Sequence, residues 1–190
     1  MRAPERPRRS GKTMLTLTPR RGDRWGALLA GMLALVACMS VARAEDGYGL
    51  WMRYVQADAS KVEAYRASLG DVVAPDRTPT QRAARDELQR GLAGLLGVQP
   101  RFHTAPVGTA ALVLGTSDSS PWLAFFQPEL EDTGEEGYLL RQTQLGGQTV
   151  VVIAARRDIG VLYGVFHLLR LLQTGAALRD LDVREAPRIN

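Results

Sequence analysis

The sequence predicts an α+β fold: a two-layer sandwich in which a small mixed sheet carries two amphipathic helices on one face, preceded by an N-terminal signal helix. Three observations predict it. Apolar residues recur at helical spacing over 79–96 and from Asp158 to about Gln173. Short apolar or alternating runs between and around these two segments are typical of strands. A basic leader with an uncharged apolar stretch precedes all of them.

Residues 1–44 have the composition of an export signal. They contain nine Lys/Arg and two Asp/Glu, a net charge of +7, whereas residues 45–190 carry fifteen Lys/Arg and eighteen Asp/Glu, a net of −3. An uncharged run over 25–41 is followed by Ala42-Arg43-Ala44, a small-residue cleavage site. We expect cleavage after Ala44, with Met14 as an alternative start. Because the surplus positive charge belongs to the leader, nucleic-acid binding by the remaining chain is not expected.

Two features of the leader leave alternatives open. Leu35-Val36-Ala37-Cys38 resembles a lipoprotein box, which would place a diacyl anchor on Cys38, and Arg20-Arg21 invites a twin-arginine interpretation. Cys38 is the only cysteine, so the chain after cleavage has no disulfide and no thiolate chemistry. With ordinary cleavage we expect a periplasmic or extracellular protein that has no membrane association.

Residues 45–97 contain two predicted strands and one helix. Alternation over 47–54 predicts a strand, and 68–73 is a second strand candidate. Thr78-Pro79-Thr80-Gln81 then has the form of a capping box with Pro at the first helical position. An apolar stripe follows at Ala84, Leu88, Leu92 and Leu95, and Gly97 supplies a left-handed stop. We predict a helix over 79–96.

The rest of the chain predicts a strand, a hairpin and a second helix. The continuous apolar run over 110–114 is typical of a buried strand, and 129–136, with five carboxylates and a Gly, of a solvated loop. Strand-like runs over 138–142 and 149–155 about Gly146-Gly147 predict a hairpin. Asp158 is expected to cap the last helix, which Gly175 ends. Residues 181–189 leave as an extended segment.

The histidines and serines form no recognisable catalytic arrangement. His103 and His167 are the only histidines, and a zinc site would need at least one further ligand at suitable spacing. His167 lies near the apolar stripe of the last helix, so we expect it at a helix–sheet or domain contact. Ser117, Ser119 and Ser120 lack the G-x-S-x-G setting of a nucleophile elbow.

The acidic segment and the glycines of the first helix do not predict a site either. Carboxylates for glycoside hydrolysis need a dry pocket and a defined separation, whereas five neighbouring acids repel one another and stay hydrated; these are Glu129, Glu131, Asp132, Glu135 and Glu136. Gly91, Gly94 and Gly97 do not follow a strand, so they are not a dinucleotide fingerprint. The sequence therefore predicts no catalytic, cofactor-binding or metal site, and no cofactor.

Three segments together resemble the N-terminal domain of the bacterial α-glucuronidases of glycoside hydrolase family 67. They are Glu45-Asp46-Gly47-Tyr48-Gly49-Leu50-Trp51-Met52-Arg53-Tyr54, the helix Arg157 to Leu172, and Asp182-Val183-Arg184-Glu185-Ala186-Pro187-Arg188-Ile189-Asn190. Tyr163-Gly164 with the leucines after it is also similar to the accessory domain that precedes the barrel of β-hexosaminidases.

The resemblance implies an enzyme that removes glucuronic acid, or its 4-O-methyl form, from xylo-oligosaccharides with inversion and without metal. Its acid and base carboxylates would lie in a (β/α)8 barrel that begins where this chain stops, so no catalytic residue is expected here. The implied organisation is a signal at 1–44, the N-terminal domain at 45–180 and a linker at 181–190 into the missing barrel, which would be the domain's partner.

Two other functions remain open at this point. Trp51, Trp122, Phe125 and Phe126 would form a stand-alone carbohydrate-binding surface if their rings were exposed. The lipoprotein-like box at Cys38 would instead make the chain a lipid-anchored periplasmic binding protein.

Overall fold

The computed structural model describes residues 53–103 and 110–186, which belong to one compact unit, Trp51–Asn190. Within these residues we number four α-helices and six strands. In chain order they are α1 (Ala59–Leu69), β1 (Asp71–Val73), α2 (Pro79–Leu96), β2 (Arg101–His103), β3 (Ala110–Thr116), α3 (Gln127–Leu130), β4 (Tyr138–Leu145), β5 (Gln148–Ala155), α4 (Asp158–Gln173) and β6 (Asp182–Glu185).

The six strands form one mixed sheet in the order β2-β1-β3-β5-β4-β6. Strands β2, β1, β3 and β5 are parallel, whereas β4 runs antiparallel to both β5 and β6. The predicted hairpin is β4–β5. Gly146 and Gly147 adopt φ angles of 59° and 80°, the left-handed conformations that a tight two-residue hairpin turn requires. The mixed sheet confirms the α+β class.

Three helices, not two, cover one face of this sheet. Helices α2 and α4 occur where the sequence predicts them, and their apolar stripes pack together on Leu112, Val151 and Ile153 of the sheet. Helix α1 joins the same core through Val62, Tyr65 and Leu69. The sequence pattern does not predict this helix, because its three buried residues are separated by alanine, serine and charged residues, which leave almost no apolar stripe.

The opposite face of the sheet is covered as well, by the segment that follows β3. Leu123, Phe126 and Leu130 pack on a second apolar cluster formed by the alternate strand residues Val73, Ala111, Val113, Leu139, Val150, Val152 and Ala154. Residues 124–133 fold as α3 flanked by two single 3₁₀ turns. The expectation of two layers is therefore incomplete, because a thin third layer covers this face.

The starts of α2 and α4 are tied to each other. The capping box is present: the Gln81 backbone N–H donates to Thr78 Oγ1 at 3.1 Å, and the Gln81 side chain accepts from the Thr78 backbone N–H. The prediction that Asp158 caps α4 is wrong: Arg157 occupies the cap position, and Asp158 is the first residue of the helix. Its carboxylate instead accepts hydrogen bonds from the Thr78 hydroxyl at 2.7 Å and the Gln81 amide at 2.9 Å.

Several predicted elements need correction. Of the strand predicted at 47–54, residues 47–52 lie outside the described residues, and Arg53 and Tyr54 are not in a strand. Only Asp71–Val73 of the second candidate is a strand, because α1 continues to Leu69. The segment predicted as a loop over 129–136 contains the last two residues of α3 and the 3₁₀ turn Glu131–Thr133. Strand β2 was not predicted, since its three residues contain a single apolar side chain.

The predicted leader lies outside the described residues. This includes the signal helix, the cleavage site after Ala44 and Cys38. Among residues 53–103 and 110–186, no helix has the length and hydropathy needed to cross a membrane.

Candidate functional site

The last strand, β6, is attached to the sheet by a cluster of four charged residues, which we call the β6 ion-pair cluster: Glu129, Arg141, Asp182 and Arg184. Arg141 donates from its two terminal nitrogens to the two oxygens of Glu129, at 2.9 and 2.8 Å. Its Nε donates to Asp182 Oδ1 at 2.8 Å, and Arg184 donates to Glu129 Oε2 at 3.0 Å. Glu129 of α3 thereby joins the covering segment to strands β4 and β6.

The cluster shifts the pKa values of Glu129 and Arg141 toward their charged forms. The hydrogen bond from Arg141 is the main cause that holds the pKa of Glu129 below its ordinary value; burial opposes it, and Arg184 adds a smaller lowering contribution. The hydrogen bond to Glu129 raises the pKa of Arg141. The side chains of Arg141 and Glu129 are 21% and 32% exposed, so their attraction is screened less than that of a fully exposed pair.

This pKa shift predicts an acid-dependent loss of stability. A carboxyl whose folded pKa lies below its unfolded value stabilises the protein above that unfolded value, about 4.5 for Glu, and the stabilisation disappears as the pH falls through the folded pKa. We expect Arg141→Met to lower the free energy of unfolding by about 1–2 kcal/mol at pH 7. Urea unfolding measured from pH 7 down to pH 3 should show the two proteins converging as the pH falls.

A charge-matched control isolates this effect. Arg179→Met removes the same positive charge from an exposed arginine. This residue is outside the β6 ion-pair cluster, so the substitution should leave the pH profile of the parent unchanged. A difference between Arg141→Met and the parent that stayed constant down to pH 3 would contradict a carboxylate-linked origin.

His167 lies at a helix–sheet contact, as the sequence predicted. The Tyr138 hydroxyl of β4 and His167 Nδ1 of α4 are hydrogen-bonded at 2.7 Å, and the two rings meet edge-to-face with centroids 5.9 Å apart. Burial lowers the pKa of His167, with a contribution from Arg170. Burial, reinforced by Glu185, raises the pKa of Tyr138 to about 12.

A cavity of about 310 Å³ adjoins this contact, next to the end of β6. Tyr163, Phe166 and Arg170 line it together with Tyr138, His167 and Glu185. Tyr163 and Phe166 are only partly buried. The side of α4 next to β6 therefore presents aromatic surface beside the place where the described chain leaves the sheet.

His103 lies far from His167, because three strands separate β2 from β4, the strand that His167 contacts. It ends the edge strand β2, where its Nε2 lies 2.8 Å from Asp71 Oδ1 of β1. Arg101 donates to the same carboxylate at 2.9 and 3.1 Å. The hydrogen bond from Arg101, and to a smaller degree that from His103, lowers the pKa of Asp71. No group of three or more His, Cys, Asp or Glu side chains in 53–103 and 110–186 is arranged to hold a metal ion.

The three candidate serines have separate structural positions. Ser117 Oγ donates to Gln127 Oε1 at 2.6 Å, and Ser119 Oγ closes the turn after β3 by accepting from the Thr116 backbone N–H at 2.7 Å. Ser120 is 4% exposed, and its hydroxyl has no hydrogen-bond partner among the described residues. None of the three is paired with either histidine.

The acidic candidates do not form a catalytic pair. Glu129 belongs to the β6 ion-pair cluster, and Glu135 pairs with Arg157 and, at 3.6 Å, with Arg156. The expectation that all five stay hydrated therefore fails for Glu129, whereas the Glu135 side chain is 53% exposed despite its ion pairs. Glu131 and Asp132 are exposed, and Glu136 is half-buried with one carboxylate oxygen unpartnered in the described part of the chain.

The aromatic candidates divide between surface and core. Phe125 is 81% exposed and Trp122 37% exposed, whereas Phe126 is 2% exposed and belongs to the second core cluster. Phe126 is thus unavailable for stacking on a sugar, and Trp51 lies outside the described residues. The two neighbouring phenylalanines differ in exposure because Phe125 is on the outward side of one short helical segment and Phe126 is on its inward side.

The glycines of α2 serve packing. A Cβ at Gly91 would lie 2.4 Å from Leu169 Cδ2 of α4, and a Cβ at Gly94 would lie 2.6 Å from the Tyr54 Cβ. Gly97 has a φ of 66° and ends the helix in the left-handed conformation. Gly91 and Gly94 therefore allow neighbouring parts of the chain to approach α2 closely.

Comparison with protein families decides the relationship that the sequence segments indicated. Residues 50–168 match the family described as "Glycosyl hydrolase family 67 N-terminus". The chain belongs to this family. The match spans α1 to most of α4 and includes the whole parallel part of the sheet.

Curated relatives agree with this assignment. The chain is 29% identical over 155 residues to "Probable alpha-glucuronidase A" of Aspergillus oryzae, covering 80% of this chain and 18% of that protein. It is 28% identical over 152 residues to "Alpha-glucuronidase" of Hypocrea jecorina, covering 76% and 17%. The family 67 N-terminal domain thus spans less than a fifth of the length of these relatives.

Solved structures are more distant. A family GH115 4-O-methyl-α-glucuronidase with specificity for decorated arabinogalactans matches with a TM-score of 0.39 at 22% identity, over 55% of this chain and 14% of that one. The Streptomyces plicatus N-acetyl-β-hexosaminidase matches with a TM-score of 0.35 at 22% identity, over 63% and 21%. TM-scores this low support no conclusion about this chain.

Proposed function

We propose that this chain is the non-catalytic N-terminal accessory domain of a secreted α-glucuronidase. Membership of the family 67 N-terminal domain carries the proposal. The acid and base carboxylates of the intact enzyme would lie in a (β/α)8 barrel after residue 190, as the sequence resemblance implies. The intact enzyme would hydrolyse α-1,2-linked glucuronic acid, or its 4-O-methyl form, from xylo-oligosaccharides, and residues 1–44 would direct its export.

The carboxylates of the described residues support the non-catalytic role. A cavity of about 560 Å³ at the carboxyl ends of β3 and β5 is lined by two acids, Asp118 and Asp158. Both oxygens of Asp158 accept hydrogen bonds from Thr78 and Gln81, so this carboxylate is used to join the starts of α2 and α4. Asp118 is exposed, whereas the general acid of a glycosidase lies in a dry pocket.

The attachment of β6 to the sheet favours a structural role for the domain, as a support for the barrel. The β6 ion-pair cluster fixes Asp182 and Arg184 to the sheet immediately before the segment that would lead into the barrel. On the other face of the sheet, next to Glu185, the partly buried Tyr163 and Phe166 offer aromatic surface to a following domain. The domain would then deliver the next segment in a defined direction, since strand β6 is held by both backbone pairing and ion pairs.

An activity assay of the full chain tests the proposal. With aldouronic acids as substrate we expect no release of uronic acid, because both catalytic carboxylates would be absent. The Hypocrea jecorina α-glucuronidase serves as the positive control under the same conditions. The transcript beyond the Asn190 codon should continue in frame for about 250 residues, the usual length of such a barrel. Turnover by the 190-residue chain at the rate of the positive control would overturn the proposal.

A further inference from the structure

The carboxyl ends of β1 and β3 form a crevice of the kind that binds ligands in open parallel sheets. The two strands are parallel neighbours. The chain after β1 leads to α2 on the three-helix face, whereas the chain after β3 leads to Leu123 and Phe126 on the opposite face. Adjacent strands whose connections leave toward opposite faces define a topological switch point, where ligands of such sheets bind.

A cavity of about 460 Å³ occupies this switch point, within the range of about 300–1,000 Å³ typical of small-molecule sites. Its walls come from residues 73–77 after β1, residues 119–121 after β3, Phe102 and His103 at the end of β2, and Arg85 of α2. The crevice is thus built from four separate parts of the chain that the sheet topology brings together.

Among the charged groups of the crevice, Arg77 is the one without an ion pair to the described residues. Arg85 is held by two neighbours: its guanidinium stacks on the Phe102 ring at 3.8 Å and pairs with Asp76 at 3.2 Å. The exposed Arg77 side chain makes no hydrogen bond or ion pair with the described residues, although its backbone N–H donates to Gln81. Because Asp76 is neutralised by Arg85, Arg77 gives the crevice an unmatched positive charge.

The neutral groups of the crevice favour a ligand that also carries hydroxyls. Ser120 lies in the wall, 4% exposed, with its hydroxyl unpartnered in the described part of the chain. Such a buried hydroxyl is costly unless it finds a partner, so a ligand that reached it would remove this cost. His103 uses Nε2 on Asp71, which leaves Nδ1 for a second hydrogen bond. Val73, Pro75 and Pro121 supply apolar wall for the C–H faces of a ring.

We propose that this crevice binds a hexuronic acid, with the ligand carboxylate on Arg77 and ring hydroxyls on Ser120 and His103. The choice of a uronic acid among small carboxylate-bearing polyols rests on the proposed function. Arginine recognises carboxylates through paired, charge-assisted hydrogen bonds. The domain would then hold an acidic sugar at a site separate from any catalytic carboxylates.

Titration calorimetry of the full chain with sodium D-glucuronate tests this site. We expect glucuronate to bind saturably at millimolar concentration and D-glucose to show no saturable binding. Acetate should compete with glucuronate for the site, with an affinity at least about tenfold weaker than that of glucuronate. Arg77→Gln should weaken glucuronate binding about tenfold or more, and Ser120→Ala about threefold. Arg179→Gln, which removes an equally exposed arginine outside the crevice, should bind glucuronate as the parent does.

Each contrary result identifies what is wrong. If Arg77→Gln bound glucuronate with the affinity of the parent, the site would be overturned. If acetate competed as strongly as glucuronate itself binds, the crevice would be a general anion site and the sugar assignment would be overturned. Absence of glucuronate binding by protein with an unchanged circular dichroism spectrum would overturn the crevice proposal alone. It would leave the accessory-domain proposal standing, because that proposal is tested by the aldouronic acid assay.

Discussion

Phe126→Ala is expected to lower the free energy of unfolding by about 3–5 kcal/mol, whereas Phe125→Ala should change it by no more than about 0.5 kcal/mol. The two rings are neighbours in sequence and differ only in direction, since Phe126 is 2% exposed and Phe125 81% exposed. Urea unfolding followed by circular dichroism measures both values. The pair is its own control, because substitution, residue type and segment are the same.

The physical reason lies in the second face of the sheet. Phe126, with Leu123 and Leu130, covers strand residues such as Val113 and Val152 that would otherwise meet water. Truncation to alanine leaves a cavity where the sheet and the covering segment meet. Equal losses from the two substitutions would mean that this segment does not pack on the sheet as described.

Leu169→Ala is expected to cost about 2–5 kcal/mol, and Gly91→Ala should partly restore the loss. Leu169 of α4 is 1% exposed, and a Cβ at Gly91 of α2 would lie 2.4 Å from its Cδ2. In the parent, Gly91→Ala should destabilise, because overpacking costs about 1–3 kcal/mol and the gain in helix propensity is only about 1 kcal/mol. In the Leu169→Ala background the new methyl group fills vacated space, so the same substitution should stabilise.

A double-mutant cycle measures this reversal of sign. The coupling between Gly91→Ala and Leu169→Ala should be about 1–3 kcal/mol, as for residues in direct contact. Gly91→Ala combined with Phe126→Ala is the control. These two sites belong to core clusters on opposite faces of the sheet, so their effects should add. Additivity in the first cycle would contradict the close approach of α2 and α4 at Gly91.

The sequence predicted well those features whose causes lie within a few residues of each other. The capping box at Thr78, the apolar stripe of α2 and the left-handed Gly97 are local, and the helix has the predicted bounds Pro79–Leu96. The Gly146-Gly147 turn likewise specified the β4–β5 hairpin. In contrast, α1 has only three buried residues in eleven, and this stripe was too sparse to predict a helix without its tertiary contacts.

The candidate sites depend on residues that are far apart in the chain, and sequence patterns do not show such pairs. Glu129 and Arg184 are fifty-five positions apart and meet only because β6 pairs with β4. Arg77, His103 and Ser120 line one crevice because β1 lies between β2 and β3. Helical spacing did place His167 at a helix–sheet contact, but the choice of Tyr138 as its partner came from the fold.

The amino-acid sequence by itself determined the α+β class, the two long helices, the hairpin and the family, because caps, turn glycines and local apolar patterns are encoded in short windows. Only the tertiary structure decided which of two adjacent phenylalanines is core, which arginine of the crevice has no ion pair with the described residues, and where the sheet opens a crevice. These depend on the strand order and on which side of the sheet each connection takes, and both are settled by burial between distant segments.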